Sequence, residues 1–238
     1  MKNRAGKFLL ATGMIMLMVS GCSTVKKTNK TQRGAAIGTA GGAVIGGVIG
    51  NNVGKGNTVL GAIIGGVVGG VTGGIIGNKM DRQAEKIKNE IPGAEVQRAG
   101  EGIIVTFNEK NPDGSKMGVY FDYDKSALTS NSKLALDKLV KIFNEYVETN
   151  ILVEGHTDDK GTDSYNFSLS ERRAEAVGGY LKNNGIMSSR LTVKWYGETQ
   201  PKVENTSDAK RAENRRVEFA ITANEKMKEQ ASKEAAGE

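Results

Sequence analysis

An α/β domain of helices layered on a mixed sheet, preceded by a glycine-rich helical hairpin, is the fold class that this 238-residue sequence predicts. Two observations carry the prediction. Glycine is unevenly spread, with 17 of the 32 glycines lying between Gly34 and Gly77. In the C-terminal half, short apolar runs of strand length alternate with longer runs of helical period. Strands alternating with helices favour a layered structure with a partly parallel sheet. The globular part is therefore expected to be mostly C-terminal.

The first residues read as an address. Lys2, Arg4 and Lys7 precede the apolar stretch Phe8 to Val19, which is too short to span a bilayer comfortably, and the small residues Ser20 and Gly21 follow. That order is the pattern of a secretory signal. Val19-Ser20-Gly21-Cys22 resembles the bacterial lipobox, which implies cleavage before Cys22 and acylation of its thiol and new amino group. Each buried methylene contributes about 0.8 kcal/mol, so several acyl chains hold where one is marginal. By the same resemblance, Ser23 after the lipidation site Cys22 implies sorting to the outer membrane.

From Gly34 the glycines fall at a four-residue step through Gly38, Gly42, Gly46, Gly50 and Gly54, and the step resumes at Gly61, Gly65, Gly69, Gly73 and Gly77. On a helix, that step returns nearly to one face and makes a smooth groove for close backbone packing. Asn51, Asn52, Lys55, Gly56 and Asn57 supply polar turn residues, which predicts a hairpin with its tip near Gly56. Glycine costs about 1 kcal/mol per helical position relative to alanine, so such helices need lipid or each other. The segment resembles the glycine zippers of envelope lipoproteins, which implies membrane association or self-association as a homo-oligomer, with a pore built from such oligomers as an alternative reading.

Further along, Met80 to Glu90 is expected to be a charged linker helix ended by Pro92 and Gly93. Strands are expected at Ile103 to Phe107 and Val119 to Phe121, around a turn at Asn111-Pro112-Asp113-Gly114. Ser130 to Tyr146 has helical period, with Leu134, Leu139, Ile142, Phe143 and Tyr146 at core spacing. Ile151 to Val153 opens the next strand. A second helix is expected from about Ser170 to Asn183, with Ser168 and Glu171 spaced as a capping box and Gly185 placed to stop it. Leu191 to Tyr196 and Arg216 to Ile221 supply further strands around a short helix near Ala209, and the residues after Asn224 read as a loose charged tail.

The net charge of +6 is modest, and basic residues alternate with acids instead of forming a basic run with interleaved aromatics, so nucleic acid is not an expected partner. The single cysteine excludes an intrachain disulfide. The single histidine, His156, gives no histidine-based metal cage and is read as a loop-packing residue, so neither metal nor cofactor is expected.

Several ordered motifs then carry a specific resemblance. Glu154-Gly155-His156-Thr157-Asp158, Gly161, Asn166, Leu169-Ser170-Glu171-Arg172-Arg173-Ala174, Tyr196-Gly197 and Asn214-Arg215-Arg216-Val217-Glu218 together resemble the OmpA-like C-terminal family that includes OmpA, MotB and Pal. With the lipobox and glycine ladder, the whole chain resembles the YiaD-type envelope lipoproteins. The resemblance implies a βαβαβ-type two-layer sandwich with a mixed sheet. It also implies noncovalent capture of the diaminopimelate group of the peptidoglycan stem peptide, and tethering of the outer membrane to the wall from the periplasmic side.

The family's recognition acid maps to Asp158 and its arginine to Arg173, although spacing alone does not choose Arg173 over Arg172. Diaminopimelate presents an ammonium and a carboxylate close together. An acid can accept from the first, while a planar, permanently charged guanidinium forks two hydrogen bonds to the second. Thr157, Asn166 and Leu169 are expected to shape the pocket, with Asn166 alternatively a turn brace. At the start of the last strand Arg216 is favoured over Arg215 as a further contact, an arginine clamping the strand to Asp122 or another acid being the alternative. A hydrolase would need a catalytic arrangement beyond paired carboxylates such as Asp158 and Asp163, so no enzymatic activity is expected. A motor stator would need an acid in its membrane segment, and residues 34–77 contain none. The expected boundaries are 1–21 for the signal peptide, 22–33 for the acylated N-terminus and linker, and 34–77 for the hairpin. They continue with 78–101 for the linker helix and lead-in, 102–223 for the binding domain, and 224–238 for the tail.

Overall fold

The computed structural model describes residues 68–109 and 118–238. Cys22, the hairpin tip near Gly56 and the expected turn at residues 111–114 lie outside the described residues. The elements run α1 (Gly70–Glu90), β1 (Glu95–Ala99), β2 (Gly102–Asn108), α2 (Ser130–Glu145), β3 (Thr149–His156), α3 (Asp163–Asn183), a 3-10 turn (Ser188–Arg190), β4 (Leu191–Gly197), α4 (Asp208–Asn214), β5 (Arg216–Ala223) and α5 (Glu225–Ala236). The five strands form one mixed sheet in the order β1-β2-β5-β3-β4. Among the described strands only β3 and β4 pair in parallel, and α3 is their crossover. The other neighbours are antiparallel.

Alternation along the strands divides the sheet into two faces. Ile103, Val105, Phe107, Ile151, Val153, Val217, Phe219 and Ile221 lie in the main core. There Phe107 meets Phe219 edge to face at 5.8 Å between ring centroids, and Phe143 of α2 reaches Phe219 at 6.4 Å. The opposite face carries a small apolar cluster of Ala99, Ile104, Leu152 and Ala220 and, nearer the end of β3 and the start of β5, buried polar side chains.

Several local expectations are corrected. The helix expected at Met80 begins ten residues earlier, at Gly70, and it packs into the core. Ile76, Met80 and Ile87 are fully buried along one face, and Ala84 falls on the same stripe. The residues after Asn224 form a helix instead of a loose tail. Asn224 caps it by accepting from Met227 N, and Met227 and Ala231, one turn apart, are buried in the main core. No helix among the described residues is long and apolar enough to cross a membrane.

No strand forms at Val119 to Phe121. The Tyr120 backbone is held by a side chain in place of a ladder: its N–H donates to Ser132 Oγ at 2.7 Å, and Ser132 Oγ donates to its carbonyl at 2.7 Å. The edge strand β1 takes the sheet position instead, pairing with β2 as a hairpin. In α2 the core-facing residues are Ala135, Leu136, Leu139, Val140, Ile142 and Phe143, whereas Leu134 is 56% exposed. The apolar stripe is set one position later than Leu134 suggests, and Tyr146 sits half-buried at the helix end.

The second helix starts at Asp163 because Thr162 caps it, accepting from Tyr165 N at 3.3 Å. Ser168 and Glu171 therefore stand inside the helix, and the capping-box reading fails. Its end is as expected. Gly185 adopts φ +96, a conformation costly for a residue with Cβ, and Ile186 N donates back to Leu181 O at 3.1 Å. Arg190 closes α2 from outside: its guanidinium donates to Phe143 O, Tyr146 O and Thr149 O at 3.0, 3.0 and 2.7 Å. Carbonyls left without helical partners and the negative end of the helix dipole are met by one buried cation.

Candidate functional site

The C-terminal end of β3 and the start of β5 lie side by side in the sheet, so Asp158, just past β3, and Arg215, just before β5, are brought together by register. Asp158 is 5% exposed. Its Oδ2 accepts a close ion-paired hydrogen bond from Arg215 Nη1, and its Oδ1 accepts from Lys160 N at 3.0 Å. Arg215 also pairs with Glu109. Burial opposes the charge of Arg215, but its hydrogen bonds to Glu109 and Asp158 outweigh that and hold its pKa above the usual value.

The loop carrying Asp158 is braced from three sides. Asn166 is 1% exposed and donates through Nδ2 to the Asp158 carbonyl at 3.1 Å and to Glu198, which is the brace role considered for it. Thr157 N donates to Gly197 O at 2.9 Å, and Gly197 N donates to Ser170 Oγ at 2.8 Å, tying the loop through β4 to α3. Leu169 is buried beneath. Gly155 is where β3 touches α3: a Cβ there would lie 2.5 Å from Ser170 O, so the close approach requires glycine. Between Gly155 and His156 the pairing with β4 slips by one residue, and Tyr196, the extra residue, stacks on the His156 ring at 5.4 Å.

Arg173 extends from α3 into a cleft lined also by Glu109, Phe121, His156, Arg215 and Arg216. Its Nε donates to Lys125 O at 3.0 Å, and its guanidinium carbon lies 5.1 Å from the Phe121 ring centroid, within cation–π range. Burial lowers its pKa from the usual arginine value, and the charge of Arg215 pushes the same way, while Glu109 opposes. Of the two arginines that spacing does not separate, Arg172 is exposed and Arg173 lines the cleft. Arg173 is ten residues into α3, about 15 Å along its axis. The α3 amides therefore lie too far away to help it hold an anion.

Arg216 occupies a different position from Arg215 although the two are adjacent. Its side chain is fully buried, with Nε donating to Glu218 Oε1 at 2.7 Å and the other nitrogens to Asn214 O and Gln200 O. Its acid partner Glu218 is on the same strand, so the ties it makes beyond β5 are those to the Asn214 and Gln200 carbonyls. Arg215 is the arginine engaged with Asp158. Two participants were missed in the sequence, Glu109 and Phe121, because neither belongs to a charged motif and both reach the cleft only through tertiary packing.

Beneath the cleft, Glu154 is pushed up to about 7 by burial first and by Glu218 second, against the hydrogen bond from Tyr196. His156 is held well below the usual histidine value by burial and by the nearby Arg216.

A model of the OmpA family matches residues 120–215, and a model of the YMGG-like Gly-zipper matches residues 1–81. Outer membrane porin F of Pseudomonas fluorescens is 43% identical over 108 residues, which is 45% of this chain and 33% of that protein. The chain thus spans about a third of that relative's length. The peptidoglycan-associated lipoprotein of Haemophilus influenzae is 39% identical over 102 residues, covering 43% of this chain and 67% of that protein. Among solved structures, a MotB-like protein from Desulfovibrio vulgaris superposes with a TM-score of 0.54 at 25% identity, over 63% of this chain and 94% of the other. With the mixed five-stranded sheet and the motifs at the ends of β3 and β5, these similarities place the chain in the OmpA family.

Proposed function

We propose that this protein binds peptidoglycan noncovalently, at the diaminopimelate group of the stem peptide, and makes and breaks no covalent bond there. The observation that carries the reading is that Arg215, paired with the buried acid Asp158, lines one cleft together with a second guanidinium group, that of Arg173. A zwitterionic group with adjacent ammonium and carboxylate is complementary to that arrangement. The ammonium takes the Asp158 oxygen that Arg215 now occupies, and Arg215 turns with Arg173 toward the carboxylate. Leaving the Asp158 pair broken and unfilled would be costly, so the exchange selects ligands carrying both charges. Arg215 replaces Arg216 in this role, because the Arg216 guanidinium is committed to Glu218 and backbone carbonyls. Thr157, Asn166 and Leu169 hold the loop in place.

The rest of the chain fits one end of a tether. Cys22 is the proposed acylation site, the glycine-zipper segment associates with membrane or with further copies, and the globular domain faces the wall from the outer membrane. The relatives named for the outer membrane and for association with peptidoglycan support this placement.

Co-sedimentation of the full chain, solubilised in detergent, with purified sacculi tests the reading. Binding is expected to diaminopimelate-type walls, to be competed by free meso-diaminopimelate, and to be lost in Asp158→Ala and Arg173→Ala. Walls with lysine at the same position lack the side-chain carboxylate and should be bound at least tenfold more weakly. Equal binding to both wall types, or unchanged binding in both variants, overturns the site. Release of soluble muropeptides during incubation would overturn the absence of catalysis.

A further inference from the structure

The polar end of the sheet's second face holds a cluster to which the peptidoglycan reading gives no role, although His156 and Arg216 also border that cleft. Glu154 on β3 and Glu218 on β5 are directly opposite in the register, although like charges facing each other across strands are destabilising. His156 lies two residues beyond Glu154 and Arg216 two residues before Glu218, which puts all four on one face. The side chains of Glu154 and His156 are 0% exposed and that of Glu218 is 4% exposed.

Each carboxylate has one oxygen held by a donor. Tyr196 Oη donates to Glu154 Oε1 at 3.1 Å, and Arg216 Nε donates to Glu218 Oε1 at 2.7 Å. The second oxygens, Glu154 Oε2 and Glu218 Oε2, are buried without a hydrogen-bond partner, as are both ring nitrogens of His156. One donor atom from each of the three residues lies within 4.8 Å of the other two, and His156 Nε2 is 4.0 Å from Glu154 Oε2. A buried polar atom without a partner costs about 1–3 kcal/mol, so three converging on one place, one from each residue, call for an occupant.

We infer that Glu154, His156 and Glu218 bind one divalent metal ion of the zinc class. One imidazole nitrogen and two carboxylate oxygens are a donor set for zinc or manganese, whereas calcium and magnesium prefer more oxygens. In a tetrahedral zinc site the donors stand roughly 3.4 Å apart, so the cluster needs only a modest contraction. Tyr196 and Arg216 supply the outer hydrogen bonds that orient ligating carboxylates, and the Tyr196 ring stacked on His156 fixes the imidazole plane. The charge of Arg216 opposes a cation, but the two carboxylates outnumber it. The ion would pin the end of β3 to the start of β5, directly beneath Asp158 and Arg215.

Untagged full-length protein in detergent, stripped with chelator and dialysed, is titrated with zinc chloride by calorimetry, and X-ray absorption is recorded on the zinc-loaded protein. One equivalent of zinc is expected, with one imidazole nitrogen in its shell. Since His156 is the only histidine, that nitrogen identifies the site. His156→Gln and Glu218→Gln should weaken zinc binding at least tenfold while circular dichroism stays unchanged. The inference is overturned if folded wild-type protein takes up no stoichiometric zinc, if the shell lacks imidazole or contains sulfur, or if folded His156→Gln binds as tightly. The absorption measurement on wild-type protein decides even if a variant fails to fold.

Discussion

The two faces of the sheet are built from the same strands and do opposite things. One face, with Phe107, Val153 and Phe219, is covered by helices and consists of large apolar side chains in mutual contact. The other has only four apolar residues in its cluster, two of them alanines, and gives the ends of β3 and β5 to Glu154, His156, Arg216 and Glu218. Stability is concentrated on the first, where burial of a large side chain contributes about 1.5–3 kcal/mol. The second spends part of that stability on buried charge, next to the strand ends from which Asp158 and Arg215 project. A scaffold can hold costly polar groups in place only where its opposite side is firm.

Substitutions ranked by expected effect sharpen that contrast. Phe219→Ala removes the ring between Phe107 and Phe143 and should cost about 3–5 kcal/mol in denaturant unfolding. Met227→Ala tests whether α5 belongs to the same face, and a loss of about 2–4 kcal/mol is expected because Met227 is 2% exposed in the main core. An effect below about 0.5 kcal/mol would return the C-terminal helix to the status of a surface appendage.

On the polar face the expected sign is reversed. Burial raises Glu154 from 4.5 to about 7, so the folded state holds a proton that the unfolded state releases across that interval. Stability therefore falls as pH rises from about 4.5 to 7. Glu154→Gln, which keeps shape and removes the charge, should stabilise the metal-free protein at pH 8 by on the order of 2 kcal/mol and have little effect at pH 4. Thermal melts in chelator at the two pH values check this, and a pH-independent difference would count against it. Smallest of all, Leu134→Ala should change stability by less than about 0.5 kcal/mol, because this leucine is on the solvent side of α2.

Much of the first face was legible in the sequence, because apolar period is a direct consequence of burial. The strands at Ile103, Ile151, Leu191 and Arg216 and the helix at Ser130 follow from it. What escaped was governed by single polar contacts. Ser132 removes a strand at Tyr120 by satisfying both of its backbone groups, and Thr162 starts α3 earlier than its apolar pattern shows. The burial of Gly70 to Glu90 and of the residues after Asn224 was hidden for a related reason. Each segment supplies a narrow stripe to the core while charged residues dominate its composition. In the site, motif order pointed to Asp158 and Arg173. Adjacent arginines look identical in a sequence, and only the alternation of the strand sends Arg215 to Asp158 and Arg216 to Glu218.

The helix that begins at Gly70 has a mechanical consequence. It enters the domain as a 21-residue rod whose Ile76, Met80 and Ile87 are embedded in the core and against which α5 packs. A pull on the chain at Gly70 thus loads several buried side chains in parallel, along the rod, instead of peeling one residue at a time. Resistance to extraction is then governed by the unfolding rate of the whole layer, and deleting α5 should lower the rupture force measured from that end more than it lowers the force measured across the β1–β2 hairpin.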